Sequence, residues 1–528
     1  MSENLLMKKL IEKIKNIDDK KLSVVVFSIF FLQPIFELDI WLYEYISIPR
    51  PSVIFHYVFI PIIVLVLFIK YEDKKKKVFS IFLVYFLLIG SYFILHSINC
   101  IKIFDSLYLT NNFYYSIYQE AVYVCTLIMP YFIIYAFYKA NIDEDLIKKT
   151  VMLVSLIISV LIILGDVFLF GLSTYNGTTT KAPFYMWFFG VYNRMHPRDV
   201  SSKFFFPEGN TLGIYLFIAL VINYYYLLRC KDKKEKIWFI VTILLQSLTM
   251  WIIGTKVGTY GTIIIPVVTL IIYFLMMALK KESLRPYFIV TCATMALISS
   301  LTFTHTPAYV NTQINNANNT ALLKNTSDLL NKAKFDANSV MLVPGTAEYN
   351  YFYINYFEDW GIRGKLISSI PSEYYLLYYQ YTFDGKFWWD VLDLYPIEQR
   401  CNGRQMQTIF NNYKWNPTNR YTKLMGMGYS TFMNGSFLIE RDFVQQRYTL
   451  GYLGDFLTLG PWALMTLYGI FKILTNFKEK FNFKTLMFGM AFCLAIASGL
   501  TSGHTFDQYL TISVISLVSM VLLKEVNE

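Results

Sequence analysis

Apolar runs of about 18–22 residues recur along this chain, the length that a bilayer core demands of a crossing helix. A chain built this way reads as an all-α polytopic membrane protein. About twelve spans are expected, near residues 22–41, 52–70, 79–97, 119–138, 150–171, 211–228, 237–253, 262–279, 286–303, 456–475, 485–501 and 507–523. Composition agrees: 55% of the 528 residues are hydrophobic and only 16% are charged, against about 25% in soluble domains. The first run follows a lysine-rich start (Lys8, Lys9, Lys13, Lys15, Lys20, Lys21) and has no small-residue cleavage pattern, so it reads as a retained span.

The net charge of +10 sorts by side of the membrane. Basic joints fall at Lys74 to Lys77, at Lys139, Lys148 and Lys149, at Arg229 to Lys236, at Lys280 to Arg285, and at Lys478 to Lys484. With a cytoplasmic N-terminus every one of them lies inside, as the positive-inside rule expects. Both termini are then cytoplasmic, in a multi-pass plasma-membrane protein, and no nucleic-acid partner is needed to explain the charge. The chain divides into an N-terminal membrane part of about nine helices (1–303), an extracytoplasmic loop domain (304–455) and a C-terminal membrane part of about three helices (456–528).

That long outer segment carries the first functional signal. A pump or channel rarely needs so large a soluble loop, whereas an enzyme working on a lipid-linked substrate does. Its Asn-rich start, Asn311 to Asn325, reads as a flexible lead. The aromatics beyond it, among them Tyr349, Tyr353, Trp360, Tyr375, Tyr379, Trp388 and Trp389, are enough for a small core of its own, expected as a mostly helical cap.

Several outward joints carry candidate chemistry. The joint 171–210 defies the charge trend with Lys181, Arg194, Arg198 and Lys203, ahead of Glu208-Gly209-Asn210. Arg and Lys are the natural clamps for phosphate; solvated loop charges or lipid-headgroup anchors are the plainer explanation. The turn Gly254-Thr255-Lys256-Val257-Gly258 combines free backbone with a cation near the membrane surface, or is a helix–helix turn with a snorkelling lysine. Its spacing is wrong for a nucleotide-binding phosphate loop. The exit of the long loop carries Arg420, then Gly426-Met427-Gly428, then Glu440-Arg441-Asp442, Arg447 and Gly451-Tyr452-Leu453-Gly454. A helix starting near Glu440 would align residues 440, 443, 444 and 447 on one face. A carboxylate beside cations can act as a general base, although an amphipathic entry helix with ordinary ion pairs gives the same pattern. In the last outward turn His504 precedes Asp507, as a phosphate contact or as a capping turn. Glu37-Leu38-Asp39 is a weak acid-x-acid pair. Of six cysteines only Cys100 and Cys401 look external; they either pair or stand as structural thiols, and no metal spacing exists.

This order of motifs, over roughly residues 190–455, resembles the O-antigen ligase and polymerase superfamily. That family's late motif is a histidine, a small polar residue, nine arbitrary residues and Gly-x-x-Gly. Glu440-Arg441, nine residues and Gly451-Tyr452-Leu453-Gly454 match its spacing, with glutamate in place of histidine and arginine in place of asparagine. Arg198 or Lys203 ahead of Asn210 matches the family's arginine, and Thr255-Lys256 is similar to its Ser-Arg turn. The resemblance implies a metal-independent, inverting membrane glycosyltransferase that needs no cofactor. Its substrate would be a polyprenyl-pyrophosphate-linked oligosaccharide at the outer membrane face. It implies catalytic roles for Glu440, Arg441 and Asp442, and pyrophosphate contacts from Arg194, Arg198, Lys203, Lys256, Arg420 and His504. Beyond the lipid bilayer, a chain-length regulator and a flippase are the partners that such an enzyme would meet.

A polysaccharide polymerase is the preferred reading, for O-antigen-type or capsule-type glycan. A ligase acting on a different acceptor has the same motifs. A lipid-linked oligosaccharide flippase suits the span count but keeps its joints short. A metal-dependent transferase using Glu37 and Asp39 would be sensitive to chelators.

Overall fold

The computed structural model describes residues 3–39, 51–71, 75–104, 113–175, 177–192, 194–400 and 402–528, without the side chains of 3–7, 39, 75, 324 and 325. Among them there is no β-strand; two isolated bridges, Leu172 with Thr179 and Ser173 with Ser202, are the only strand-like pairings described. The chain is therefore an all-α polytopic membrane protein. Among the described residues eleven helices are long and apolar enough to cross a membrane, each overlapping one expected span. The helix of the first expected span, Asp19–Phe36, falls outside that set because its 18 residues include Asp19, Lys20 and Lys21.

The chain forms two units. The first comprises residues 1–84, 125–311 and 459–528. Its centre is the helix Gly209–Arg229, whose apolar window is 100% buried. Helices Glu144–Val167, Lys233–Ile253, Lys256–Ala278, Phe483–Thr501 and Tyr509–Asn527 surround it. Lipid is as apolar as leucine, so polar bonds and close packing must hold such a bundle. Buried Asn223 donates to Ser155 Oγ (3.2 Å) and to Gln246 Oε1 (2.8 Å), and Gln246 Nε2 donates to the Leu216 carbonyl (2.7 Å). Three helices are joined by this one network. Side-chain caps start several helices: Asp143, Asp232 and Asn482 accept from the amides of Asp145, Glu235 and Thr485.

The second unit comprises residues 85–124 and 312–458. Its core is aromatic. Phe410 and Phe437 stack at 3.9 Å, Tyr379 meets Phe410 edge-on at 4.9 Å, and Trp388 is fully buried. Such pairs add about 0.5–1.5 kcal/mol each beyond the area they bury. Phe113, from outside the long segment, stacks on Phe410 (5.7 Å) and Phe437 (6.1 Å), and Ile103 and Phe104 pack against the same core. Helices Ala347–Tyr356, Gly385–Leu394 and Gly403–Trp415 frame it.

The Asn-rich lead differs from expectation: Pro307–Asn338 is one continuous helix. Asparagine costs a helix only a few tenths of a kcal/mol relative to better formers. Beyond that stretch the helix buries Thr326, Ala333 and Ala337 on one side.

Candidate functional site

In the first unit the cationic joint 171–210 folds back on the end of the helix Lys233–Ile253. Its last carbonyls have no partner within the helix, and the joint supplies them. The Ser202 amide donates to the Ile252 carbonyl (3.0 Å), Thr174 Oγ1 to Ile253 (2.8 Å) and the Tyr175 hydroxyl to Gly254 (2.7 Å). Gly254 has φ +71°, and a Cβ there would collide with Ser201 Oγ. Only glycine lets the joint dock so closely. Thr255 then caps the helix Lys256–Ala278 by accepting from the Gly258 amide (3.3 Å), leaving Lys256 exposed on its first turn.

The same unit ties in the final turn. Ser502 Oγ donates to Asn210 Oδ1 (2.7 Å), and Asn210 Nδ2 donates to the carbonyls of Ser502 and Gly503 (both 3.4 Å). His504 lies beyond, with φ +58° and its Nδ1 3.1 Å from Asp507 Oδ2. The following helix, Tyr509–Asn527, has Gln508 at its N-cap with no side-chain capping bond. The joint, the glycine–lysine turn and the His504 turn are thus connected by hydrogen bonds and by close packing of Gly213 on Thr255.

The cations differ in how they are held. Arg198 donates from Nε to Asn311 Oδ1 (3.2 Å) and stacks over the Tyr175 ring at 5.5 Å, with the residue exposed. Lys203 donates to the Pro207 carbonyl (2.5 Å). Arg194 is exposed. His196 caps the short helix Pro197–Val200, its Nδ1 accepting from the Arg198 amide (3.2 Å). Burial, then the Arg198 charge, pushes the His196 imidazole below its usual range, so it stays neutral.

The remaining expected residues belong to the second unit. The long helix starts at Asp442, not near Glu440, so Glu440 precedes it and does not share a helical face with Phe443, Val444 and Arg447. Glu440 instead forms an ion pair with Arg404. Arg441 is half-buried and its carbonyl accepts from the Gln445 amide (2.8 Å). Asp442 is buried on the first turn, and Arg420 is exposed at the start of Arg420–Met425. Arg447 is exposed and donates to the Tyr452 hydroxyl (2.9 Å).

Residues 425–430 are held from beneath by a pair that sequence reading passed over. Glu120 and His96 are both 0% exposed. Glu120 accepts from the amides of Tyr429 (2.8 Å) and Ser430 (2.9 Å) and lies 2.9 Å from His96 Nε2. His96 Nδ1 lies 2.6 Å from the Met425 carbonyl. Neither residue lies in a recognisable motif; their only signal was charge inside apolar runs. Arg404 gave no signal at all. The sulfur of Cys100 is buried 3.6 Å from His96 Nε2, while Cys401 lies outside the described residues. Glu37 accepts from Gln33 Nε2 (2.7 Å), and the side chain of Asp39 is not described.

The family described as O-antigen ligase like membrane protein matches the chain over residues 19–525. No curated protein and no solved structure gives a significant match.

Proposed function

From a chain that belongs to the O-antigen ligase like membrane protein family, and so is a multi-pass membrane enzyme that handles glycans, we propose a polysaccharide polymerase. It transfers a polyprenyl-pyrophosphate-linked glycan to an acceptor glycan at the outer face of the plasma membrane, with both termini cytoplasmic and the segment 304–455 outside. The observation that carries this reading is the hydrogen-bonded grouping of the Arg198 joint with the Lys256 turn in one unit. Arg198 spends one N–H on Asn311, and Lys256 stands exposed at a helix N-terminus, where anions are favoured.

In the proposed reaction the acceptor hydroxyl oxygen attacks the anomeric carbon from the face opposite the pyrophosphate. The bond from that carbon to the phosphate oxygen breaks, and its electron pair leaves with the polyprenyl pyrophosphate. Fixed cations lower the barrier by neutralising the charge that grows there. Arg198, Lys203 and Lys256 hold that group, with Arg194, Arg420 and His504 as further contacts. The hydroxyl proton passes to the Glu440 carboxylate, whose position Arg404 fixes. Arg441 and Asp442 stand next to it in the chain. A ligase runs the same chemistry with a different acceptor.

Deletion of the gene followed by gel analysis of surface glycan tests the proposal. A polymerase leaves single-repeat product, a ligase leaves long lipid-bound chains, and a flippase leaves lipid-linked units inside the cell. Complementation with Arg198→Ala or Lys256→Ala is expected to leave chain growth abolished at normal protein level. Full activity in both removes the phosphate clamp.

A further inference from the structure

Two apolar grooves flank the last turns of the helix Tyr509–Asn527, within the first unit. One, of about 170 Å³, lies between that helix, Phe483–Thr501 and residues 459–475 of the long helix; Trp462, Gly469, Ile473, Gly489 and Leu523 line it. The other, of about 320 Å³, is lined by Phe82, Tyr131, Tyr135, Tyr138, Leu523 and Asn527. Leu523 belongs to both walls, and Tyr131 of the second meets Trp462 of the first at 5.5 Å. The grooves are therefore neighbours.

The surroundings are those of a lipid-facing surface. Leu464, Leu467, Phe471 and Leu474, on the same helix as Gly469, are 62% to 69% exposed. Glycine opens the first groove: a Cβ on Gly469 or Gly489 would meet nothing within 4 Å. Lining atoms without neighbours forfeit dispersion contacts, which a seated hydrocarbon chain restores. Such packing matters here, because lipid is as apolar as leucine and burial alone favours no one place on the bundle.

Cations adjoin both grooves. Lys472 precedes Ile473 of the first groove, and its Nζ lies over the Tyr468 ring at 5.7 Å. The Tyr468 hydroxyl donates to Asn527 Oδ1 in the wall of the second. Lys139 Nζ lies over the Tyr135 ring of that same wall at 5.9 Å. Lys484 and Lys524 are engaged elsewhere, on Glu144 (3.3 Å) and Asn141 (2.7 Å).

We propose that the paired grooves bind one diacyl phospholipid with an anionic headgroup. Two adjacent apolar grooves match its two chains, and Lys139 and Lys472 match its charge. Basic positions beside grooves between membrane helices suit anionic headgroups. A polyprenyl lipid has a single chain and leaves one groove without a role. Lys139 belongs to a joint expected on the cytoplasmic side, so the lipid is one of the inner leaflet. The inference is independent of the transferase reading.

The test uses the full-length protein in mild detergent, with native mass spectrometry counting bound lipid. The probes are phosphatidylglycerol, phosphatidylcholine with the same acyl chains, and a polyprenyl monophosphate. The wild type is expected to hold one phosphatidylglycerol, and to hold phosphatidylcholine about tenfold or more weakly, because two lysines act on the headgroup. Gly469→Leu combined with Gly489→Leu fills the first groove and is expected to abolish retention. Leucine is the better helix former, so this variant melts at or above the wild-type temperature. Lys139→Gln combined with Lys472→Gln keeps both grooves and loses the preference for phosphatidylglycerol. Lys181→Gln, on the joint 171–210, binds as the wild type does. Equal binding of the two phospholipids by the wild type overturns the proposal. So does full retention in the glycine variant, or an unchanged preference in the lysine variant. Displacement of phosphatidylglycerol by the polyprenyl monophosphate also overturns it, and gives the grooves to a polyprenyl chain.

Discussion

Gly426 and Gly451 cross so closely that a Cβ on Gly451 would stand 2.5 Å from the Gly426 amide nitrogen. Both have positive φ, +91° and +69°. The Gly-x-Gly and Gly-x-x-Gly elements of the sequence thus meet as two halves of one backbone crossing. It seats the turn 425–430 against the kinked helix that carries Asp442, Gln445 and Gln446.

Gly451→Ala is expected to destabilise the protein by more than about 1 kcal/mol, because alanine is strained at positive φ and here also meets backbone. Thermal melts of the purified variant check this. An unchanged melting temperature would mean that the crossing is looser than described.

The pair beneath that turn is the next target. Glu120→Ala leaves His96 and the amides of Tyr429 and Ser430 without their acceptor. Removing one member of a buried pair costs about 3–5 kcal/mol. Poor yield, or a melting temperature many degrees lower, is the expected result, while Lys181→Ala on the exposed joint leaves stability unchanged.

Glu440→Gln is expected to lower glycan chain growth by about a hundredfold or more, the usual worth of a positioned base. Stability should hardly change, since the Arg404 pair is part-exposed and such pairs contribute little. Normal chain growth would move the base elsewhere, with Asp442 or His504 next in line.

Lys414 gives a prediction in pH. Its amine is buried, donates to the Tyr379 hydroxyl (2.8 Å), and is pushed down to about 8 by burial, with Asp384 opposing in part. The unfolded chain keeps that proton to about 10.4. Between those values the unfolded state binds more protons, so stability rises with pH across that window, by roughly 3 kcal/mol in all. Below it the penalty is fully present. Lys414→Met is expected to raise the melting temperature at pH 7, with the gain shrinking towards pH 10. A pH-independent difference would show that the amine titrates normally.

The membrane class and nearly all of the span positions were legible in the chain, because crossing lipid forces about twenty apolar residues into one run whatever they pack against. Outward cations such as Arg198 and Lys256 were legible for the same reason: they break a pattern set by local chemistry. Partners were not. That Arg404 neutralises Glu440, that His96 and Glu120 hold residues 425–430, and that Phe113 enters the core around Phe410 depend on residues far apart in sequence. No local period encodes such pairings. The helix through Asn311 to Asn325 was missed because asparagine's helix penalty is only a few tenths of a kcal/mol, too small to end a helix that continues to Asn338. The glycines at 426 and 451 were visible as letters, but their need for positive φ arose only where two backbones crossed.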